Sequence, residues 1–189
     1  WECVRTHFRA LDVDADTAPI TVVGIGDPSG DVFGNGLLRS PHVRMIAAFN
    51  HRHVIIDPEP DPVRGFAERQ RLFESAQGWD AYDPTLLSSG GQIVLRAAKQ
   101  VTLSPEVQRL LGLDRDTSSG EDLVRAVLTR PADLLFNGGV GTYVKASDET
   151  AAEVGDVAND GVRVDARALR VRNRRLSAEI ALTSSGSLV

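Results

Sequence analysis

Cysteine and lysine are scarce in this chain, and each scarcity narrows the chemistry that it can perform. Cys3 is the only cysteine among 189 residues, which excludes an internal disulfide and a cysteine-based zinc site. Lys99 and Lys145 are the only lysines. Neither has neighbours in the sequence that would favour a catalytic amine, so we expect both to lie on the solvated surface.

Long apolar runs and an excess of positive charge are also missing. No apolar run approaches the roughly 20 residues that a membrane span needs, and no secretory signal pattern opens the chain. The formal net charge of −5 contrasts with the basic surfaces that bind nucleic acids. We therefore expect a cytoplasmic protein with neither a membrane nor a nucleic acid as its partner. Because the first residue is Trp1 rather than methionine, we interpret the chain as a segment of a larger protein.

Strand and helix patterns alternate along the chain. Runs rich in β-branched and other apolar residues predict buried strands at residues 20–26, 43–49, 54–56 and 133–136. Apolar residues at helical spacing predict helices within residues 1–11, 66–73, 105–111, 123–128 and 147–159. We expect Ser147 to cap the last of these helices and a short strand to follow at residues 169–172. The alternation predicts an α/β domain with a mainly parallel sheet and flanking helices.

The glycine-rich turn at residues 24–36 is the most informative stretch. It follows the first predicted strand and opens a helix, a setting in which glycines let the backbone approach the pyrophosphate of a dinucleotide. The G-x-G-x-x-x-G spacing from Gly24 to Gly30 is one residue longer than the commonest fingerprint. A tight connection without a ligand is an equally good interpretation, because the carboxylates of Asp27 and Asp31 would repel a pyrophosphate unless they turn away or cap the helix. If the turn binds a dinucleotide, a β-branched residue at Gly26 should abolish binding without unfolding the chain.

The end of the second predicted strand bears on which dinucleotide would bind. A carboxylate about 20 residues beyond the glycine turn often accepts a hydrogen bond from the adenosine ribose. Asn50 occupies that position and is a weaker acceptor, while Arg52 would favour a 2′-phosphate. The residues therefore leave both NAD and NADP open. His51 and His53 flank Arg52, and we favour a structural or surface role for them over a shared metal site.

A second glycine cluster, Gly138-Gly139-Val140-Gly141, follows the predicted strand at residues 133–136. Ligands of open parallel sheets bind beyond the carboxyl ends of the strands, so this loop could line the same crevice as the first glycine turn. A tight connection is again about equally good as an interpretation. No Gly-Lys-Ser/Thr follows either cluster, which excludes a Walker-type phosphate loop.

Several long motifs in series resemble the large bacterial NAD-specific glutamate dehydrogenases. They include VVGIGDPSGDVFGNGLL, AAFNHRHVIIDPEPDP, LLSSGGQIVLRAAKQVTLSPE and LLFNGGVGTYVKA. By this resemblance, residues 1–172 form a Rossmann-like NAD(P)-binding domain that is incomplete at its C-terminus. Residues 173–189 depart from the family, and we expect them to form a disordered tail.

The resemblance implies the nucleotide-binding part of an enzyme that converts L-glutamate, NAD and water to 2-oxoglutarate, ammonia and NADH. It places Gly24, Gly26, Asp27, Ser29 and Gly30 around the pyrophosphate, Asn50 near the adenosine ribose, and Gly138 and Gly139 near the nicotinamide.

The resemblance also implies that the substrate-binding and catalytic lysines of the family lie upstream of Trp1, so we expect this chain to be inactive alone. We expect the full-length protein to form a homo-oligomer. Two alternatives are a non-catalytic dinucleotide-binding module and a truncated product that does not fold stably.

Overall fold

A computed structural model of the protein describes residues 1–139 and 141–171, and the predicted tail at residues 173–189 lies outside them. The helices are α1 (Glu2–Arg9), α2 (Asp31–Leu37), α3 (Pro62–Glu74), α4 (Pro105–Leu111), α5 (Gly120–Leu128) and α6 (Ala151–Val154). The strands are β1 (Ile20–Ile25), β2 (Val43–Phe49), β3 (His53–Ile56), β4 (Gln92–Leu95), β5 (Val101–Thr102), β6 (Thr117–Ser118), β7 (Leu134–Asn137), β8 (Val144–Lys145) and β9 (Val164–Asp165). Within the described residues, no helix has the length and hydrophobicity that crossing a bilayer requires.

The main sheet contains five strands in the order β4-β3-β2-β1-β7, while β5 pairs with β6 and β8 with β9. β1 is parallel to β2 and β7, whereas β3 is antiparallel to β2 and β4. β3 is reversed because residues 50–52 are too few for the crossover that a parallel pair needs. β1, β2, β4 and β7 therefore point the same way, and we call the edge where they end the carboxyl edge. The predicted mainly parallel sheet is confirmed.

Both faces of the central strands are buried, which explains why their sequences read as continuous apolar runs. Successive side chains of a strand point to opposite faces. On β1, Val22 belongs to a cluster with Phe33 of α2 and with Trp79. Its neighbour Val23 belongs to the other cluster, which contains Leu123 and the rest of the buried face of α5. The glycine turn therefore joins β1 to a helix on one face, and α5 covers the other face.

The structure confirms the predicted strands at residues 20–26, 43–49, 54–56 and 133–136 to within one residue at each end. The long helix predicted for residues 147–159 is wrong. That segment contains only the single turn of α6 and a 3₁₀ turn at Val157–Asn159. Thr150 caps the start of α6, and Gly155, which has a left-handed φ of 73°, caps its end.

The short strand predicted for residues 169–172 is also wrong over the described residues 169–171. These residues have no regular secondary structure, although Leu169 and Val171 are buried in the α5 cluster. Their apolar pattern reflects burial in that cluster rather than pairing with another strand.

Candidate functional site

A cleft of about 710 Å³ opens at the carboxyl edge of the main sheet. This volume lies within the range of about 300–1,000 Å³ that is usual for small-molecule sites. The cleft is lined by Asp27, Asn50, His51, Arg96, Ala97, Glu121, Gly141, Tyr143, Ala158 and Asn159. Segments that follow β1, β2, β4 and β7 all contribute to it, because parallel strands bring their carboxyl ends to one edge.

The glycines at this edge make room for the buried ring of Phe33, which is only 1% exposed. A Cβ atom added to Gly24 would lie 2.5 Å from Cζ of Phe33, and one added to Gly26 would lie 2.6 Å from its Cγ. A Cβ atom on Gly138, in the second glycine cluster, would lie 2.6 Å from Cβ of Phe33. Real Cβ atoms do not approach so closely, so glycine is required at all three positions. α2 is thereby pressed against the ends of β1 and β7, which is one of the roles of glycine in nucleotide-binding turns.

Hydrogen bonds hold both backbone polar groups of Gly26. Its N–H donates to the carbonyl oxygen of Phe49 over 2.8 Å, and its carbonyl oxygen accepts from Nε1 of Trp79 over 2.9 Å. Gly26 also has a φ of +152°, a conformation that favours glycine. Trp79 is fully buried and fixes the turn from the 3₁₀ turn Trp79–Ala81.

The carboxylate of Asp27 is held beside the end of β2. It accepts hydrogen bonds from the hydroxyl of Ser29 over 2.8 Å and from Nδ2 of Asn50 over 2.7 Å. The carbonyl oxygen of Asp27 accepts from the N–H of Gly30 over 2.8 Å. These donors engage the carboxylate of Asp27, but Asp27 still lines the cleft, and the N-terminus of α2 has no side-chain cap.

Asn50 is 4% exposed and closes the turn between β2 and β3. Its Oδ1 accepts from the backbone N–H groups of Arg52 and His53, each over 2.8 Å. With Nδ2 bound to Asp27, both polar atoms of the Asn50 side chain already have protein partners. The carboxylate nearest to the predicted ribose position is therefore that of Asp27.

Arg96 enters the cleft from the end of β4 and was not singled out by the sequence. Its Nη1 donates to the hydroxyl of Tyr143 over 3.1 Å, and its Nη2 donates to Oδ1 of Asn159 over 2.8 Å. Asn159 in turn donates from Nδ2 to Asp156 over 2.7 Å. The pKa of Asp156 lies below its usual value, chiefly because of this bond, with a smaller contribution from the positive charge of Arg96.

The second glycine cluster meets the first at the carboxyl edge. The N–H of Gly138 donates to the carbonyl oxygen of Ile25 over 2.7 Å. Gly139 is exposed and has a φ of +82°, and Gly141 lines the cleft with a φ of +80°. Val140 lies outside the described residues.

The lysines and histidines differ in their surroundings. Lys99 is exposed, as predicted, but Lys145 is half-buried and donates from Nζ to the carbonyl oxygen of Glu149 over 2.7 Å. His51 is exposed and lines the cleft, whereas His53 is buried. They differ in exposure because His51 lies in the turn at residues 50–52, whereas His53 is the first residue of β3.

Comparison with known proteins identifies relatives over the whole chain. The family model for the bacterial NAD-glutamate dehydrogenase catalytic domain matches residues 1–188, so the expectation that the sequence departs from the family after residue 172 is wrong. The NAD-specific glutamate dehydrogenase of Halomonas elongata is 47% identical over 189 residues, which cover 100% of this chain and 12% of that protein. The enzymes of the same name from Mycobacterium tuberculosis and Pseudomonas aeruginosa are each 50% identical, over 91% of this chain and 11% of their own length.

Proposed function

This chain belongs to the bacterial NAD-glutamate dehydrogenase family, and we propose that its cleft at the carboxyl edge is the NAD-binding site of such an enzyme. The observation that carries the proposal is the position of the cleft. It lies where β1, β2, β4 and β7 end, and Asp27 of the glycine turn is part of its lining. Open α/β sheets bind nucleotides at this edge.

The proposed placement of the cofactor follows the two glycine clusters. Ser29, Gly30 and the backbone of Asp27 would surround the pyrophosphate, with Gly24 and Gly26 shaping the turn behind them. Gly24 and Gly26 are buried against Phe33, so their role would be to set the course of the backbone.

The adenosine ribose would lie near Asn50, with the carboxylate of Asp27 as the acceptor for a ribose hydroxyl. A carboxylate at this point also disfavours a 2′-phosphate through charge repulsion, which supports NAD over NADP. Gly138 and Gly139 would lie near the nicotinamide, at the end of β7.

In the whole enzyme, L-glutamate, NAD⁺ and water would give 2-oxoglutarate, ammonium, NADH and a proton. Bound NAD would supply the hydride acceptor, and the residues of this chain would bind and orient it. No lysine is found among the described residues that line the cleft, so we propose that the groups that bind the substrate lie elsewhere in a homo-oligomeric enzyme. The isolated chain would then bind NAD without catalysing the reaction.

A fluorescence titration of the 189-residue chain with NADH and with NADPH tests this proposal, with circular dichroism to verify folding. We expect saturable binding of NADH and weaker binding of NADPH. A folded chain that binds neither dinucleotide would contradict the proposal. A preference for NADPH would contradict the role given to Asp27 and favour a contact from Arg52.

A further inference from the structure

Arg96 follows β4, and the glycine turn follows β1. These two strands lie on opposite sides of β2 in the sheet. β4 is separated from β2 by the reversed strand β3. The backbone N–H of Arg96 donates to the carbonyl oxygen of Arg52 over 2.8 Å, which fixes the start of its side chain to the turn that Asn50 closes. Arg96 and Asp27 consequently line the same cleft.

Neutral groups orient the guanidinium of Arg96. Besides its hydrogen bonds to Tyr143 and Asn159, it lies 5.6 Å from the centroid of the Tyr143 ring. Tyr143 is itself buried and packs edge-on against Phe49. Asn159 is 8% exposed and is bound to Asp156. The guanidinium is therefore held in place before any ligand arrives.

No contact with the described residues neutralises the charge of Arg96. Over residues 1–139 and 141–171, its side-chain hydrogen bonds go to a hydroxyl and an amide oxygen, and no carboxylate lies within ion-pair distance. A guanidinium has five N–H donors, so donors remain for a ligand. Arg96 is also the only arginine or lysine among the described residues of the lining, which includes the acidic Asp27 and Glu121.

We infer that Arg96 binds the pyrophosphate of the dinucleotide, an inference that rests on the proposed NAD site. An anion that enters a cleft with two acidic side chains needs a compensating positive charge, and a guanidinium can bind two phosphate oxygens at once. A carboxylate of the amino-acid substrate would satisfy the same donors. The pyrophosphate is favoured because Arg96 shares the cleft with the glycine turn and with Asn50, where the adenosine half of the cofactor is proposed to lie.

Binding of three ligands to the 189-residue chain and to Arg96→Gln tests this inference. The ligands are NADH, ADP-ribose, which retains the pyrophosphate, and adenosine, which has no phosphate. We expect Arg96→Gln to weaken NADH and ADP-ribose by roughly tenfold to hundredfold, as for a lost charge-assisted hydrogen bond, and to leave adenosine binding within about twofold. The dependence of ADP-ribose binding on salt should also become less steep, because an ionic contact is lost.

Arg109→Gln is the matched control, since it removes the same charge from an exposed residue of α4 that does not line the cleft. It should bind all three ligands as the unchanged chain does. Arg96→Lys keeps the charge without the planar donors and should retain part of the affinity; it also provides the comparison if Arg96→Gln does not fold.

Three results would overturn the inference, and each identifies a different cause. If Arg96→Gln binds ADP-ribose as tightly as Arg109→Gln does, Arg96 does not contact the pyrophosphate, although the NAD site stands. If adenosine binding weakens as much as ADP-ribose binding, Arg96 only maintains the shape of the cleft. If the unchanged, folded chain binds none of the ligands, the proposed NAD site fails and the inference fails with it.

Discussion

Phe33 restricts which residues can occupy the glycine turn. The sequence offered two interpretations of the turn, a pyrophosphate site and a tight connection. The distances from Gly24, Gly26 and Gly138 to Phe33 show that these glycines are needed for packing even without a ligand. The two interpretations are therefore compatible, because the same close packing of α2 holds the turn at the carboxyl edge.

Substitution of Gly26 is expected to reduce stability as well as binding. The sequence alone led us to expect that such a change would leave the chain folded. In Gly26→Ala, however, the new Cβ would lie 2.6 Å from Cγ of the buried Phe33, at a φ of +152°. We expect the free energy of unfolding to fall by about 2–4 kcal/mol, from overpacking and backbone strain together, as measured by urea denaturation.

Gly112→Ala is the control for backbone strain alone. Gly112 has a φ of +65°, and an added Cβ would meet no atom within 4 Å. The expected loss is about 1 kcal/mol. Equal losses in the two variants would show that Phe33 does not restrict Gly26.

At the scale of elements, Glu68 connects α3 to the chain that follows it. Its buried carboxylate accepts from Nη2 of Arg71 over 2.6 Å and from the N–H of Asp83 over 2.8 Å. The hydrogen bond from Arg71 is the main reason why the pKa of Glu68 lies below its usual value of 4.5, and the bond from Asp83 adds to it. A lowered pKa means that the ionised form stabilises the fold above about pH 4.5, and that this stability is lost as the pH falls through the lowered pKa.

Glu68→Gln is therefore expected to lower the free energy of unfolding by about 1–2 kcal/mol at neutral pH. Because the unchanged chain also loses the ionised form in acid, the difference between the two proteins should shrink below about pH 4.5. Urea denaturation at about pH 7 and about pH 3 measures both values. Glu74→Gln, at an exposed residue of the same helix, should have little effect at either pH. A difference for Glu68→Gln that does not change with pH would contradict this account.

The sequence predicted the strands that are buried on both faces and missed those that are not. β1, β2 and β7 contain continuous apolar runs, and the structure confirms all three. β4 was not predicted because its residues are only half-buried or exposed, so its sequence has no clear apolar pattern. Arg96 was not identified as a site residue either, because its position at the carboxyl edge depends on the direction of β4.

In the segment after β7, a tertiary contact explains why the predicted helix cap is wrong. Ser147 looked like the cap of a long helix, but its hydroxyl donates to Oδ1 of Asp165 over 2.7 Å. The actual cap is Thr150, which exchanges hydrogen bonds with Glu153. Since Asp165 is distant in sequence, local spacing could not distinguish these two uses of a hydroxyl residue.

At the scale of the whole molecule, the chain spans 11–12% of the length of the relatives described above. The family assignment covers the whole chain, while the position of the NAD site is our proposal. The sequence was sufficient to identify the family, because several long motifs in the same order are far more specific than one glycine turn. That Arg96 joins Asp27 and Asn50 at one cleft could be seen only after the strands were placed in the sheet.

Hydrogen–deuterium exchange of the 189-residue chain with and without saturating NADH tests the central claim most directly, because it locates the bound cofactor. We predict slower exchange in residues 26–30, 50–53 and 96–97, which meet at the carboxyl edge, and no change in α1 or α4. Protection of α1 or α4 with none at these three segments would contradict the proposed site.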